Sequence, residues 1–60
     1  MIDDELLQER LVKATGLYNN GDYRGAIAAW REALEVDPSS QKAREGIQMA
    51  TLLLAVVLAL

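Results

Sequence analysis

The stretch LYNNGDYRGAIAAWREALEVDP, residues 17–38, decides the fold. Within it, apolar and small residues recur at steps of 3, 1, 3, 3 and 1, at Tyr23, Ala26, Ile27, Trp30, Ala33 and Leu34. These steps place all six side chains on one face of an α-helix, so the pattern predicts a helix over about 23–36. Pro38 disfavours helical geometry at Asp37 and ends that helix.

The residues before this stretch predict an earlier helix, over about 3–19. Its apolar stripe follows spacings of 4, 3 and 4 at Leu7, Leu11, Ala14 and Tyr18, and Leu6 and Leu17 widen it. Asp3 or Asp4 is a suitable N-cap. Gly21 can take the left-handed conformation that closes a helix, and Asp22 is a good cap for the next one. The run NNGD therefore predicts a turn, because it lacks the alternating ligands of a calcium loop.

A third helix is predicted after Ser39 or Ser40, either of which can cap it. From residue 47 to residue 60 only Gln48 and Thr51 are polar, and none of these residues is charged. A helix that is apolar all round is buried in protein or in lipid. The predicted fold class is therefore all-α. It comprises a helix-turn-helix hairpin over 1–40, followed over 41–60 by a long third helix that is apolar in its C-terminal half.

Composition excludes most catalytic classes. The 60 residues include no Cys and no His, which removes thiolate chemistry, the commonest general base and the commonest zinc ligand. The net charge of −3 is a poor match for a phosphate backbone, so no nucleic-acid partner is expected. The four carboxylates near the N-terminus lie where the helix dipole favours negative charge: Asp3, Asp4, Glu5 and Glu9. We expect no enzyme activity, catalytic residue, cofactor, metal or small-molecule substrate. The acidic N-terminus also argues against a secretion signal.

From about residue 7 to residue 40 the chain resembles a tetratricopeptide repeat, a helix-turn-helix unit of about 34 residues that stacks into solenoids. The resemblance rests on the turn Gly21–Tyr23, on the closing Pro38 and on family positions within the helices, held by Ala14, Leu17, Tyr18, Ala26, Trp30 and Ala33. Arg10 and Lys13 depart from the family pattern, which has a Trp and a Leu there. Packing of the first helix is then expected to depend on Leu7, Leu11 and Val12.

The resemblance implies binding rather than catalysis. Family members usually hold a peptide or a partner helix in a groove lined by their first helices. The corresponding residues here are Gln8, Leu11, Thr15, Tyr18 and Asn19. Some relatives grip a peptide carboxylate with Lys and Asn, but Leu11 and Thr15 stand at two of those positions, so that activity is not expected. The alternative interpretation is that these five residues serve packing only.

A single repeat leaves an apolar face open, and about three repeats are needed for a stable stack. The uncharged tail can complete the core in two ways. The first is insertion into a membrane or a membrane complex, with the hairpin in the cytoplasm on the side of Lys42 and Arg44. The residues predicted to insert into lipid or a partner are Ile47, Thr51, Leu54, Ala55, Leu58 and Ala59. At roughly 21 Å, however, the helix is shorter than the ~30 Å hydrocarbon core.

The second way is burial against copies of the same chain, in a soluble stacked or filamentous homo-oligomer. A tail that is an artefact of truncation or design is the remaining alternative. The first two hypotheses share one function. Both describe a non-catalytic scaffold or accessory subunit that docks to other protein subunits or to itself through the hairpin and the apolar helix.

Overall fold

The computed structural model describes all 60 residues as three α-helices without a strand, so the all-α prediction is confirmed. Helix α1 spans Asp4–Asn19, α2 spans Tyr23–Val36 and α3 spans Gln41–Ala59. The central helix, α2, packs against both of its neighbours, whereas α1 and α3 make few contacts with each other. The molecule is therefore a helical hairpin with a third helix laid against its second arm.

The turn between α1 and α2 closes the first helix and caps the second within three residues. Gly21 has a φ of 82°, the left-handed conformation that the sequence predicts. The amide of Gly21 donates to the carbonyl of Tyr18 at 3.0 Å, and the amide of Asp22 donates to that of Leu17 at 2.9 Å. These two bonds form a Schellman motif. The Asp22 carboxylate then accepts a hydrogen bond of 2.9 Å from the Gly25 amide at the start of α2.

The role of Gly21 in the turn can be tested by substitution, with Gly16 of the same hairpin as the control. A side chain at Gly21 would have to adopt a positive φ, so Gly21→Ala should lower the free energy of unfolding by about 1 kcal/mol. Gly16 lies inside α1 with open space where a Cβ would be, so Gly16→Ala should raise stability by about 0.5–1 kcal/mol through helix propensity. Urea titrations of both variants provide the measurement. Equal effects of the same sign would contradict this account of the turn.

The connection between α2 and α3 is held by polar side chains. The carboxylate of Asp37 accepts hydrogen bonds from the amide and the hydroxyl of Ser39, at 3.0 Å and 2.7 Å. Ser40 is the N-cap of α3, and its hydroxyl accepts a bond of 3.3 Å from the Ala43 amide. Of the two serines that the sequence offers as a cap, the structure uses the second, which is also buried.

Small side chains dominate the core and let the helices approach closely. The nine buried apolar residues form one cluster, Leu7, Leu11, Ala14, Ala26, Ala29, Trp30, Ala33, Ala43 and Ala50. The face that the sequence predicts for α2 is confirmed, since three of its members are buried and the other three are half-buried against the cluster. Ala29 lies outside that predicted face but is only 1% exposed. It is buried because α2 is covered on two sides.

Arg10 and Lys13, the two residues of α1 that differ from the repeat pattern, form ion pairs with α2. The Nε atom of Arg10 lies 3.8 Å from a carboxylate oxygen of Glu32 on α2, and the Nζ atom of Lys13 lies 4.0 Å from the other. These groups are partly exposed, so each pair contributes no more than about 1 kcal/mol. Leu7 and Leu11 pack in the core as expected, but Val12 is 69% exposed, so the prediction that it supports this packing is wrong.

Helix α3 is unbroken, as the absence of Pro or Gly after Gly46 predicts. Its first half packs against the hairpin through Ala43 and Ala50, both 0% exposed. Beyond these residues the helix extends along solvent, and Val57, two turns after Ala50, is 52% exposed. No helix in the structure combines the length and the apolar character that crossing a lipid bilayer requires.

Candidate functional site

A shallow groove lies between α1 and α3, and α2 contributes Trp30 to it. The groove consists of two adjoining depressions of about 340 Å³ and about 350 Å³. Thr15 lines both of them, so the two depressions meet at this residue of α1. Because α1 and α3 are each packed on α2 and barely touch each other, their separation leaves this groove open.

The first depression has a mixed lining, formed by Gln8, Leu11, Val12, Thr15, Gly16 and Lys42. Leu11 belongs to the core, but Gln8, Thr15 and Lys42 are exposed. The Thr15 hydroxyl donates a hydrogen bond of 3.0 Å to the carbonyl of Leu11 within α1. Gly16 has no neighbour where a Cβ would lie, which leaves this part of the groove wide.

The second depression is aromatic and nearly free of polar surface. It is lined by Thr15, Tyr18, Asn19, Trp30, Glu45, Gly46 and Met49. The ring centroids of Tyr18 and Trp30 lie 5.7 Å apart at a tilt of 60°. Tyr18 also meets the edge of Tyr23, with centroids 5.5 Å apart. This spacing is typical of favourable aromatic pairs, so the two tyrosines and the tryptophan stabilise one another and hold the wall of the depression in place.

Gly46 determines how closely α3 approaches the aromatic cluster. The three atoms nearest to a Cβ built at Gly46 all belong to the indole ring of Trp30, and they lie too close for any side chain to fit. The glycine therefore lets the backbone of α3 lie directly on the indole. Trp30 is only 6% exposed and forms the floor of the depression, while Met49 stands at its rim and is 53% exposed.

All five residues predicted to form a partner groove line the two depressions, namely Gln8, Leu11, Thr15, Tyr18 and Asn19. Binding by these residues stays a prediction. The sequence-based reasoning did not find the opposite wall, which α3 supplies through Lys42, Glu45, Gly46 and Met49. Their spacing of 3, 1 and 3 is that of a helix face, and a glycine inside a helix was the signal that could have identified it.

The six residues predicted to insert into lipid or a partner do not share one environment. Ile47 and Leu54 are half-buried, and Ile47 packs against the core cluster. The other four, Thr51, Ala55, Leu58 and Ala59, are exposed. Insertion of these residues stays a prediction. The large apolar side chains after residue 48 that are at least half exposed form a set that shares only Leu58 with this prediction, namely Met49, Leu52, Val56, Val57, Leu58 and Leu60.

No group of three or more acidic, His or Cys side chains lies together in a way that would hold a metal ion. Among the acidic residues of the N-terminus, Asp3 caps α1 by accepting a hydrogen bond of 3.0 Å from the Leu6 amide. Glu9 pairs with Arg10 at 3.1 Å on the surface. The structure thus gives two of these carboxylates local roles in and around α1.

No family model, curated protein or solved structure matches the chain. The resemblance to tetratricopeptide repeats accordingly rests on the motif positions in the sequence.

Proposed function

We propose that this chain is a non-catalytic interaction module of tetratricopeptide type, which binds a segment of another protein in the groove between α1 and α3. One observation carries the proposal. The five residues chosen by correspondence with the family line two adjoining depressions between α1 and α3. In this role the protein is a scaffold or accessory subunit.

The exposure of the lining residues favours binding over a purely structural role. Leu11 is 6% exposed and is accounted for by packing. Gln8, Thr15 and Asn19 are exposed and make no hydrogen bond from their side chains to another helix. Side chains that contribute little to the stability of the monomer remain available for a ligand. The packing interpretation thus applies to Leu11 and to Tyr18, which packs against Trp30, but it leaves Gln8, Thr15 and Asn19 without a role.

The chemistry of the groove defines the segment that fits it. The second depression offers Tyr18, Met49 and the Trp30 floor to an apolar or aromatic side chain, which is how protein interfaces usually seat an anchor residue. The first depression offers Lys42 and the amide of Gln8 to a polar or acidic neighbour of that anchor. We therefore expect a peptide that carries a large apolar residue beside a polar or acidic one.

Thr15→Arg tests the groove, because Thr15 lines both depressions and is exposed. The long side chain should fill the groove without disturbing the core. Peptides of about twelve residues, selected from a random displayed library on the intact chain, serve as the probe. Their binding can be followed through the fluorescence of Trp30, the only tryptophan. We expect Thr15→Arg to weaken binding at least about tenfold, a loss of about 1.4 kcal/mol.

The other threonine of the chain supplies the matched control. Thr51 is exposed on α3 and lines neither depression, so Thr51→Arg adds the same charge and bulk away from the groove. Binding by Thr51→Arg should equal that of the unaltered chain. Peptides that bind both arginine variants equally well would show that the groove is not the binding site.

A further inference from the structure

A second apolar stripe runs along α3 on a side that the hairpin does not cover. It consists of Met49, Leu52, Val56 and Ala59, whose spacing of 3, 4 and 3 is that of a helix–helix seam. Met49, Leu52 and Val56 are 53%, 59% and 57% exposed, and Ala59 is exposed as well. The stripe is distinct from the line of Ala43 and Ala50, which α3 buries against the hairpin.

We infer that this stripe is the contact between two copies of the chain, with the α3 helices paired antiparallel about a two-fold axis. The inference goes beyond the groove function, because Met49 alone of the stripe lines a depression, whereas Leu52, Val56 and Ala59 line neither. A two-fold contact uses the same patch on both copies, so the patch has to be complementary to itself.

The order of residues along the stripe satisfies that requirement. With the axis halfway along the stripe, Leu52 of one copy faces Val56 of the second, and Met49 faces Ala59. Each large side chain therefore meets a smaller one. Such alternation of large and small residues lets facing helices interdigitate. A parallel pair would instead place Met49 against Met49 and Ala59 against Ala59, which leaves a gap at one end.

The distribution of charge favours the same orientation and a second copy as the occupant. No residue from 46 to 60 is charged, so two α3 helices meet along this stretch without repulsion. Each chain carries a net charge of −3. A parallel pair would bring the two Glu45 side chains and the two acidic hairpins together, and like charges destabilise such an arrangement. The antiparallel pair directs the hairpins to opposite ends.

The available area suits a weak dimer. Three large apolar side chains of the stripe, those of Met49, Leu52 and Val56, are at least half exposed in each copy. A seam of this length buries less than the roughly 1,000 Å² that a stable, specific protein interface should exceed. The dimer is therefore expected to dissociate on dilution, with a mass that depends on concentration.

Leu52→Lys in the full chain tests the seam, and Leu58→Lys is its control. Both residues are exposed leucines of α3, at 59% and 66%, but Leu58 lies about 120° around the helix from Leu52 and outside the stripe. In sedimentation equilibrium the unaltered chain should approach twice 6.6 kDa at high concentration. Leu52→Lys should raise the dissociation constant about tenfold or more, and Leu58→Lys should leave it unchanged.

Three outcomes would overturn the inference. The first is an unaltered chain that remains at 6.6 kDa throughout. The second is equal weakening by both lysine variants, which would indicate non-specific apolar association. The third is a monomer that sediments with phosphatidylcholine vesicles in the unaltered form and loses this property in both variants, which would identify lipid as the occupant. Thr15→Arg should leave the dimer intact, so failure of the groove proposal and failure of the dimer are distinguishable.

Cysteine cross-linking tests the orientation, because the chain has no cysteine of its own. Met49→Cys and Ala59→Cys chains, mixed under mild oxidation, should form the mixed disulfide in preference to either homodimer. In the antiparallel pair these two positions face each other, whereas two copies of either position lie about 15 Å apart along the axis. Preferential cross-linking of Met49→Cys to itself would overturn the antiparallel arrangement.

Discussion

Replacing Trp30 by Ala is expected to remove a large part of the free energy of unfolding at room temperature. Trp30 is 6% exposed, and its indole lies against Tyr18 and under Gly46. Truncating a buried Trp to Ala costs about 3–5 kcal/mol. At about 0.05–0.15 kcal/mol per residue, a chain of this length has a total stability of only about 3–9 kcal/mol. In a urea titration followed by far-UV circular dichroism, the midpoint of Trp30→Ala should lie far below that of the unaltered chain.

An exposed apolar residue provides the control for this substitution. Val12 is 69% exposed on α1, and Val12→Ala should change the free energy of unfolding by less than about 0.5 kcal/mol. If Trp30→Ala retained the helix content and the urea midpoint of Val12→Ala, the packing of α2 between its neighbours would be incorrect. The comparison separates burial from the general effect of removing apolar atoms.

The sequence was sufficient to place the helices because each boundary has a local cause. Gly21 supplies the one left-handed residue, Asp22 caps α2, and Pro38 prevents α2 from continuing. These effects depend on neighbouring residues along the chain, so they can be read without knowledge of the tertiary structure. For the same reason, the apolar face of α2 that packs in the core was predictable from its spacing alone.

The parts that sequence reasoning missed depend on contacts between helices. Ala29 falls outside the periodic face of α2, and its burial follows only once the two neighbouring helices are packed against α2. Predicting the groove also requires knowing how the helices pack, because α3 supplies the wall that contains Lys42 and Met49. Alanine and glycine are also ambiguous in a sequence, because their small size serves exposed helices and close packing equally well.

Composition does not determine what covers the part of α3 that follows Ala50. An uncharged helix predicts that something covers it, but composition does not distinguish lipid from protein. The stripe at Met49, Leu52 and Val56 identifies which side of α3 is suited to helix pairing. The hypotheses of membrane insertion and self-assembly thereby become separable by substitutions on different sides of the same helix.

Gly46→Ala is expected to lower the free energy of unfolding by about 2 kcal/mol, although Ala is the better helix former. Helix propensity alone would stabilise the variant by about 1 kcal/mol. The added Cβ, however, would overlap the indole of Trp30, so α3 or the ring has to move. Overpacking of this kind costs up to about 3 kcal/mol, which outweighs the gain. Gly16→Ala, where the space is open, should show the propensity gain alone.

A double-mutant cycle identifies the indole as the cause of this loss. Trp30→Leu keeps an apolar core residue but removes the ring atoms that crowd position 46. In that background Gly46→Ala should become neutral or stabilising, with a coupling energy of about 2–3 kcal/mol between the two sites. Urea titrations of the four proteins supply the measurement. Additive effects, or a Gly46→Ala variant as stable as Gly16→Ala, would show that α3 does not rest on Trp30, and the second depression of the groove would lose its floor.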